Sequence, residues 1–428
     1  MKKTIKLLAV LSAVLLLSGC SAKGLSPEST IKAPGATGYY AGVQKALEQA
    51  VGKDIVLKYP LVNGRRSAFC SGDFNGSGKD EVLAFYQQKG EAAVTRMNLL
   101  SWDNGKWSSV QDIDPAGKEL LTADTSDLDL DGNFEILTGW QVSTAKTNQL
   151  CIYKMENGGL IQRADETYNA YTVCDIDNDG RDDVGIALID SEKKQSSLTF
   201  NDFENNDFKT VSHIMLDGGV TEYPNVQVSK VDGKNAVYLD GLKSSDTLIT
   251  EVVYTENGVL YNPFSADESA ENTVTARKNG RKCKDLNGDG KIEIPLTVPL
   301  PGYDSTLLRT DWSTYENGEF KSVMSAWYCV GEGYYLVFED SWKDRVTVIF
   351  DPEKGTAVFC EWDKDGKAVG NELFRIETFE TEKFDRHAGY ISLASSDQTT
   401  FAVKFSDYEG PFSVSFERLK NNFRFIVD

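Results

Sequence analysis

Four segments of this chain share one nine-residue pattern in matched register, at 73–81, 127–135, 175–183 and 285–293. Repetition of that kind restricts the chain to architectures that stack a similar unit several times. Positions 1, 3, 5 and 9 carry oxygen side chains in every copy. They are Asp73, Asn75, Ser77 and Glu81 in the first loop, and Asp127, Asp129, Asp131 and Glu135 in the second. The third has Asp175, Asp177, Asp179 and Asp183, and the fourth has Asp285, Asn287, Asp289 and Glu293. A glycine at position 6 permits a sharp turn, because it reaches positive φ without a Cβ clash. Hard cations such as Ca²⁺ take about six to eight oxygen ligands, and alternate residues of a tight loop can converge on one ion. An EF-hand would need an acid at position 12 between two helices. Here position 12 is Ala84, Thr138, Ile186 and Leu296, inside apolar runs, so the EF-hand is excluded. Position 2 is always apolar (Phe74, Leu128, Ile176, Leu286), as expected of a side chain pinned beneath the loop.

The spacing of the loops supplies the architecture. Their starts are 54, 48 and 110 residues apart, so the last interval holds a hidden repeat near 230. There Lys230-Val231-Asp232-Gly233-Lys234 reads as a tight turn that has lost its ligands, with a strand after it. A second landmark keeps the same phase: Asn104-Gly105, Asn157-Gly158, Asn205-Asn206, Asn257-Gly258 and Asn317-Gly318. Asn-Gly between alternating hydrophobics is a strong hairpin signal. Each unit therefore reads as strand, loop, strand, strand, hairpin turn, strand, which is the blade of a β-propeller. The expected fold is mainly β: four-stranded blades followed by a small C-terminal α+β domain, or alternatively a seven-bladed propeller over the whole chain.

The loops resemble the FG-GAP/VCBS repeats of integrin-α-type propellers and bacterial exported proteins, over residues 65–325. The resemblance implies Ca²⁺ as cofactor, up to four structural ions. They would be held by the side chains at positions 1, 3, 5 and 9 and by the position-7 carbonyls of Lys79, Asn133, Arg181 and Lys291. The family's Phe-Gly and Gly-Ala-Pro segments are not legible. Greater ligand charge tightens such a site. By that rule loops 127–135 and 175–183, with four carboxylates each, rank above 285–293, and 73–81 comes last.

The chain begins Met1-Lys2-Lys3, continues with an apolar run and reaches Leu17-Ser18-Gly19-Cys20. The run is too short to span a bilayer and reads as a signal peptide over residues 1–19. Leu-Ser-Gly-Cys resembles the lipobox of bacterial lipoproteins, which implies a diacylglyceryl group on Cys20. Two acyl chains suffice for stable anchoring. The expected location is extracytoplasmic, tied to the cell membrane through that lipid. Residues 20–37 read as a lipidated tether, and 38–64 as a helix (Tyr40, Val43, Leu47, Val51) plus a strand. The formal charge of −20 argues against nucleic acid as a partner.

Cys70, Cys151, Cys174, Cys283, Cys329 and Cys360 form no CxxC and read as buried hydrophobes, with Cys329 and Cys360 the one conceivable disulfide. Residues 326–428 give strands near 345–350, 356–362, 373–379 and 399–405, and a tail in which Val414, Leu419, Phe423 and Ile426 recur at near-helical spacing.

Two functions remain. One is a surface-anchored, calcium-stabilised binding module that presents its loops to a glycan or protein. The other is a wall- or polysaccharide-active enzyme with a carboxylate pair. With His213 and His387 the only histidines, triad or zinc catalysis has little to stand on, and no catalytic residue is assigned. Trp102, Trp107, Trp140, Trp312, Trp327, Trp342 and Trp362 could stack on sugars, but most read better as packing between blades; Trp102 and Trp107 flank the first hairpin turn.

Overall fold

The apolar runs that follow the first three loops become the second strands of antiparallel sheets, largely buried on both faces, which is why they lack polar alternation. The computed structural model describes residues 38–62, 67–90, 94–142, 146–204, 207–265, 270–278, 280–304, 306–384 and 389–426. The signal peptide, Cys20, the tether, the Asn205-Asn206 turn and His387 lie outside them. Two compact units result: one runs to Ala123 and takes in Met155–Leu160, and the other comprises Asp124–Lys154 and Ile161–Asp428.

Helix α1 (Tyr39–Val51) buries Val43, Ala46 and Leu47 and ends at Gly52, whose φ is 94°. The first sheet holds β1 (Ile55–Leu57), β2 (Phe69–Gly72), β3 (Glu81–Gln88), β4 (Arg96–Asp103) and β5 (Lys106–Ile113). Both β1 and β2 pair with β3, β2 along its first half and β1 along its second, so an interrupted strand does the work of one. The helix packs on this sheet through Val82, Tyr86, Leu100 and Trp107.

Three meanders follow. Their strands are β6 (Glu119–Ser126), β7 (Glu135–Gln141), β8 (Asn148–Glu156) and β9 (Gly159–Tyr168); then β10 (Ala170–Cys174), β11 (Asp183–Asp190), β12 (Gln195–Glu204) and β13 (Asp207–Leu216). The third consists of β14 (Glu222–Val231), β15 (Lys234–Ser244), β16 (Thr247–Glu256) and β17 (Val259–Tyr261). It is the repeat hidden near 230, with Asp232 and Gly233 at φ 52° and 84° in place of a metal loop. Each meander runs in sequence order across its sheet, the arrangement a propeller repeats as blades. The Asn-Gly turns at 104, 157, 257 and 317 put both residues at positive φ, between 49° and 83°, as a type I′ hairpin demands.

The fifth sheet orders β18 (Ile294–Pro299), β19 (Leu308–Glu316), β20 (Glu319–Cys329) and β21 (Tyr334–Val337). A sixth holds β22 (Val346–Asp351), β23 (Thr356–Asp363), β24 (Ala368–Glu380), β25 (Ile391–Ser395) and β26 (Thr399–Phe405), in the order β22-β23-β24-β26-β25. The tail is a shorter helix than its spacing suggested. Helix α2 (Phe416–Asn422), capped by Ser415, gives way to β27 (Phe423–Phe425), which pairs with the open edge of β21. The chain is thus mainly β with a small C-terminal α+β region.

Within the second unit consecutive sheets share their cores. Leu137 and Ile152 meet Val184 and Ile186; Ala187 and Phe200 meet Val237 and Leu239; Val252 and Tyr254 meet Ile294. All six described cysteines are buried free thiols, Cys329 and Cys360 included.

Candidate metal loops and an aromatic cleft

Each loop joins the first and second strands of its unit, or in the fourth case a Lys284–Glu293 bridge and β18. The four backbones are alike. Positions 4 and 6 both adopt positive φ: Gly76 and Gly78, Leu130 and Gly132, Asn178 and Gly180, Gly288 and Gly290. Leu130 is the costly member, since a β-carbon there is strained by about 1–2 kcal/mol. The position-1 aspartate accepts the position-6 amide at 2.8, 3.1, 3.0 and 2.9 Å in chain order. The position-9 acid accepts the amide of position 2 at 3.1, 2.9, 2.9 and 2.7 Å. Loop closure therefore uses one oxygen of the last carboxylate in every loop.

Two loops draw three acids together, each with one oxygen within 4.8 Å of the others: Asp127, Asp129 and Glu135, and Asp175, Asp177 and Asp183. Buried carboxylate oxygens without a hydrogen bond are costly, and they fit a cation. Asp127 Oδ1 and Glu293 Oε1 are such oxygens. Loop 73–81 fits less well. Both Glu81 oxygens are engaged, one by the Asn75 amide at 2.6 Å and the other by the Phe74 N–H, and Asn75 Oδ1 accepts the Ser77 amide.

Electrostatics separates the two acid-rich loops. Burial, reinforced by Asp129, raises Glu135 to about 7 even though the Lys154 ammonium favours its charged form. At Asp131 burial pushes upward, but bonds from Lys154 and the Asn133 amide outweigh it, leaving the carboxyl lowered. Burial, then a shared hydrogen bond with Asp202, raises Asp183 to about 8. Neither Lys154 nor Asp202 is in a loop; each comes from the strand across from it. Sequence reading missed both, and only the hairpin register points to them.

Apart from the loops, α1 and the first hairpin enclose a cleft of about 620 Å³. Its lining includes Tyr39, Trp102 and Trp107, with Lys79 and Asp80 of the first loop. Trp107 is buried and holds Tyr39 and Trp102 edge-on at centroid distances of 5.3 and 5.6 Å, while those two rings stay 53% and 42% exposed. Gly42 lets the helix lie this close, since a Cβ there would stand 3.0 Å from the Trp107 ring. A second, polar pocket of about 350 Å³ has one carboxylate, Asp112, among its lining residues. Asp112 is already bonded to the Tyr86 hydroxyl at 2.7 Å and the Asn98 amide at 3.1 Å. His213 lies exposed on β13.

No protein-family model matches the chain, and no curated protein matches it. Among solved structures it is similar to the periplasmic gluconolactonase PpgL of Pseudomonas aeruginosa, at 14% identity and a TM-score of 0.35, over 68% of this chain and 81% of that one. It is also similar to the exotype rhamnogalacturonan lyase YesX, at 13% identity and a TM-score of 0.30, over 74% and 72% of the two chains. The GH43 β-1,3-galactosidase BT0265 shares 11% identity at a TM-score of 0.29, over 77% and 75%.

Proposed function

We propose that this chain is a surface-anchored, calcium-stabilised binding module whose aromatic cleft takes a glycan. The cleft of Tyr39, Trp102 and Trp107 carries the reading. Exposed rings held rigidly by a buried partner present flat apolar faces to the C–H face of a sugar ring, and Lys79 and Asp80 stand ready for its hydroxyls. Calcium bound in loops that include the cleft's own rim would hold those polar groups in place. The enzyme alternative needs two carboxylates flanking a bond. The polar pocket offers Asp112 alone among its lining residues, already engaged by Tyr86 and Asn98.

Tryptophan fluorescence of the calcium-loaded protein, titrated with oligosaccharides from glucans, galactans and cell-wall fragments, tests the binding. Saturable quenching is expected with at least one of them, and Trp102→Ala should weaken it at least about tenfold, or ~1.4 kcal/mol. Binding unchanged in the variant, silence across the panel, or product release from any substrate would count against the proposal.

Anchoring follows from Cys20 by the same proposal. Cys20→Ser removes the acylated sulfur, so the protein should leave the membrane fraction or stay unprocessed. A variant that is processed and still sediments with membranes without detergent would refute the lipid anchor.

A further inference from the structure

Antiparallel register places one residue of the third strand across from the position-9 acid of each loop. Continuing the pairs Val82↔Leu100, Ile136↔Tyr153, Val184↔Asn201 and Ile294↔Ser313 by one step sets Ser101 against Glu81, Lys154 against Glu135, Asp202 against Asp183 and Thr314 against Glu293. Three of these four are uncharged or acidic. The other is a lysine whose side chain is 9% exposed.

The Lys154 ammonium bonds Asp129 at short range, lies 2.7 Å from Asp131 Oδ2 and 3.2 Å from Glu135 Oε1, and stands 5.8 Å over the Phe203 ring. Positions 3, 5 and 9 are three of the four side chains that would hold a metal ion. An ammonium has three N–H donors and meets three carboxylates here. A divalent ion bound to these oxygens would sit where the nitrogen sits, and two cations so close repel strongly in a buried site. Displacing the lysine would also cost its three charge-assisted bonds. Loop 127–135, with four carboxylates, is among the most acidic of the set and yet the one whose cage already holds a lysine ammonium.

From this geometry we infer that Lys154 is the resident cation of loop 127–135, so this loop takes no calcium while the other metal loops do. The inference rests on the calcium reading of those other loops. It reverses the order given by ligand charge alone, which ranks 127–135 among the tightest. Asp127 Oδ1 and Asp129 Oδ1 remain without hydrogen bonds, so the cage keeps spare oxygens for an ion once the lysine is gone. In loop 175–183 the same cross-strand position holds Asp202, and Arg181 reaches it only at 3.5 Å. That loop gains a carboxylate where its neighbour gains an ammonium.

Calcium bound to the full chain is counted by native mass spectrometry and calorimetric titration, for wild type, Asp127→Asn and Lys154→Met. Wild type should hold at least one calcium fewer than it has loops, Asp127→Asn should leave the count unchanged, and Lys154→Met should add one ion. One ion in every loop of the wild type, with one lost in Asp127→Asn, would overturn the role of Lys154 and leave the calcium reading standing. No calcium in either wild type or Lys154→Met would overturn both. Should Lys154→Met fail to fold, Asp127→Asn still decides: an unchanged count supports the inference, and a lost ion defeats it.

Discussion

Chelating calcium should lower the melting temperature of this protein by several degrees. A site saturated a hundredfold over its Kd adds about 2.7 kcal/mol to the folded state, so three such sites add about 8 kcal/mol, and each kcal/mol moves the midpoint by about 1 °C in a chain of this length. The loops supply the physical reason, because without an ion they hold carboxylates against one another in partly buried cages. The pH dependence gives the effect a signature. The Asp183 carboxyl has a folded-state value of about 8, against about 3.9 in an unfolded chain. Between those limits the calcium-free fold binds the extra proton, so its stability rises as pH falls from 8 towards 4 and is lost as pH rises. The slope from this one group is at most about 1.4 kcal/mol per pH unit. Saturating calcium favours the ionised form and should flatten or reverse that slope. Scanning calorimetry at pH 5.5 and 8, with and without chelator, checks both parts; identical midpoints in all four conditions would remove calcium from the account.

Arg277→Met should be the most damaging single change outside the loops, at about 3–5 kcal/mol, the usual cost of breaking a buried ion pair from one side. Arg277 and Asp240 have fully buried side chains 2.7 Å apart. The guanidinium also donates to Thr250 Oγ1 and to the carbonyls of Thr275 and Arg281. Asp240 in turn accepts the Cys283 amide at 2.7 Å and the Asn225 side chain at 2.9 Å. Taking away the cation leaves a buried carboxylate and a set of polar groups built around it. Denaturant unfolding would show the loss, and Asp240→Asn in the Arg277→Met background should recover part of it. A single-variant cost under about 1 kcal/mol would mean that the network is far more adaptable than its geometry suggests.

Much of the fold could be read locally. The loop register, the Asn-Gly turns and the ligand-free repeat at 232–233 are signals contained within a few residues, and each fixes a backbone conformation by itself. What could not be read is whatever depends on which strand lies beside which. Lys154 and Asp202 each lie 19 residues beyond the acid they face, in strands of ordinary composition, and only hairpin register brings them to the loops. Arg277 comes from an irregular stretch without periodicity, 37 residues from Asp240. The tail misleads for a related reason: Phe423 continues a helical spacing, but the unpaired edge of β21 draws Phe423–Phe425 into a strand. The aromatic cleft was half legible, since Trp102 and Trp107 flank a recognisable turn while Tyr39 reaches them from a separate helix.

The Lys154 cage and Asp240, the partner of Arg277, lie in the first and third meanders, on either side in sequence of the second, which holds loop 175–183 and Asp202. By the calcium proposal, two of these three carry their compensating charge on a lysine or arginine, and the third relies on a bound ion beside Arg181, which bonds Asp179 at 3.2 Å. When that ion becomes scarce the protein should not loosen everywhere at once. Local opening concentrates where internal compensation is poorest, so amides of β10 and β11 would exchange with solvent before those of β7 or β15. Where calcium levels vary, that unevenness confines the response to one segment and keeps its neighbours as a template on which the segment can close again.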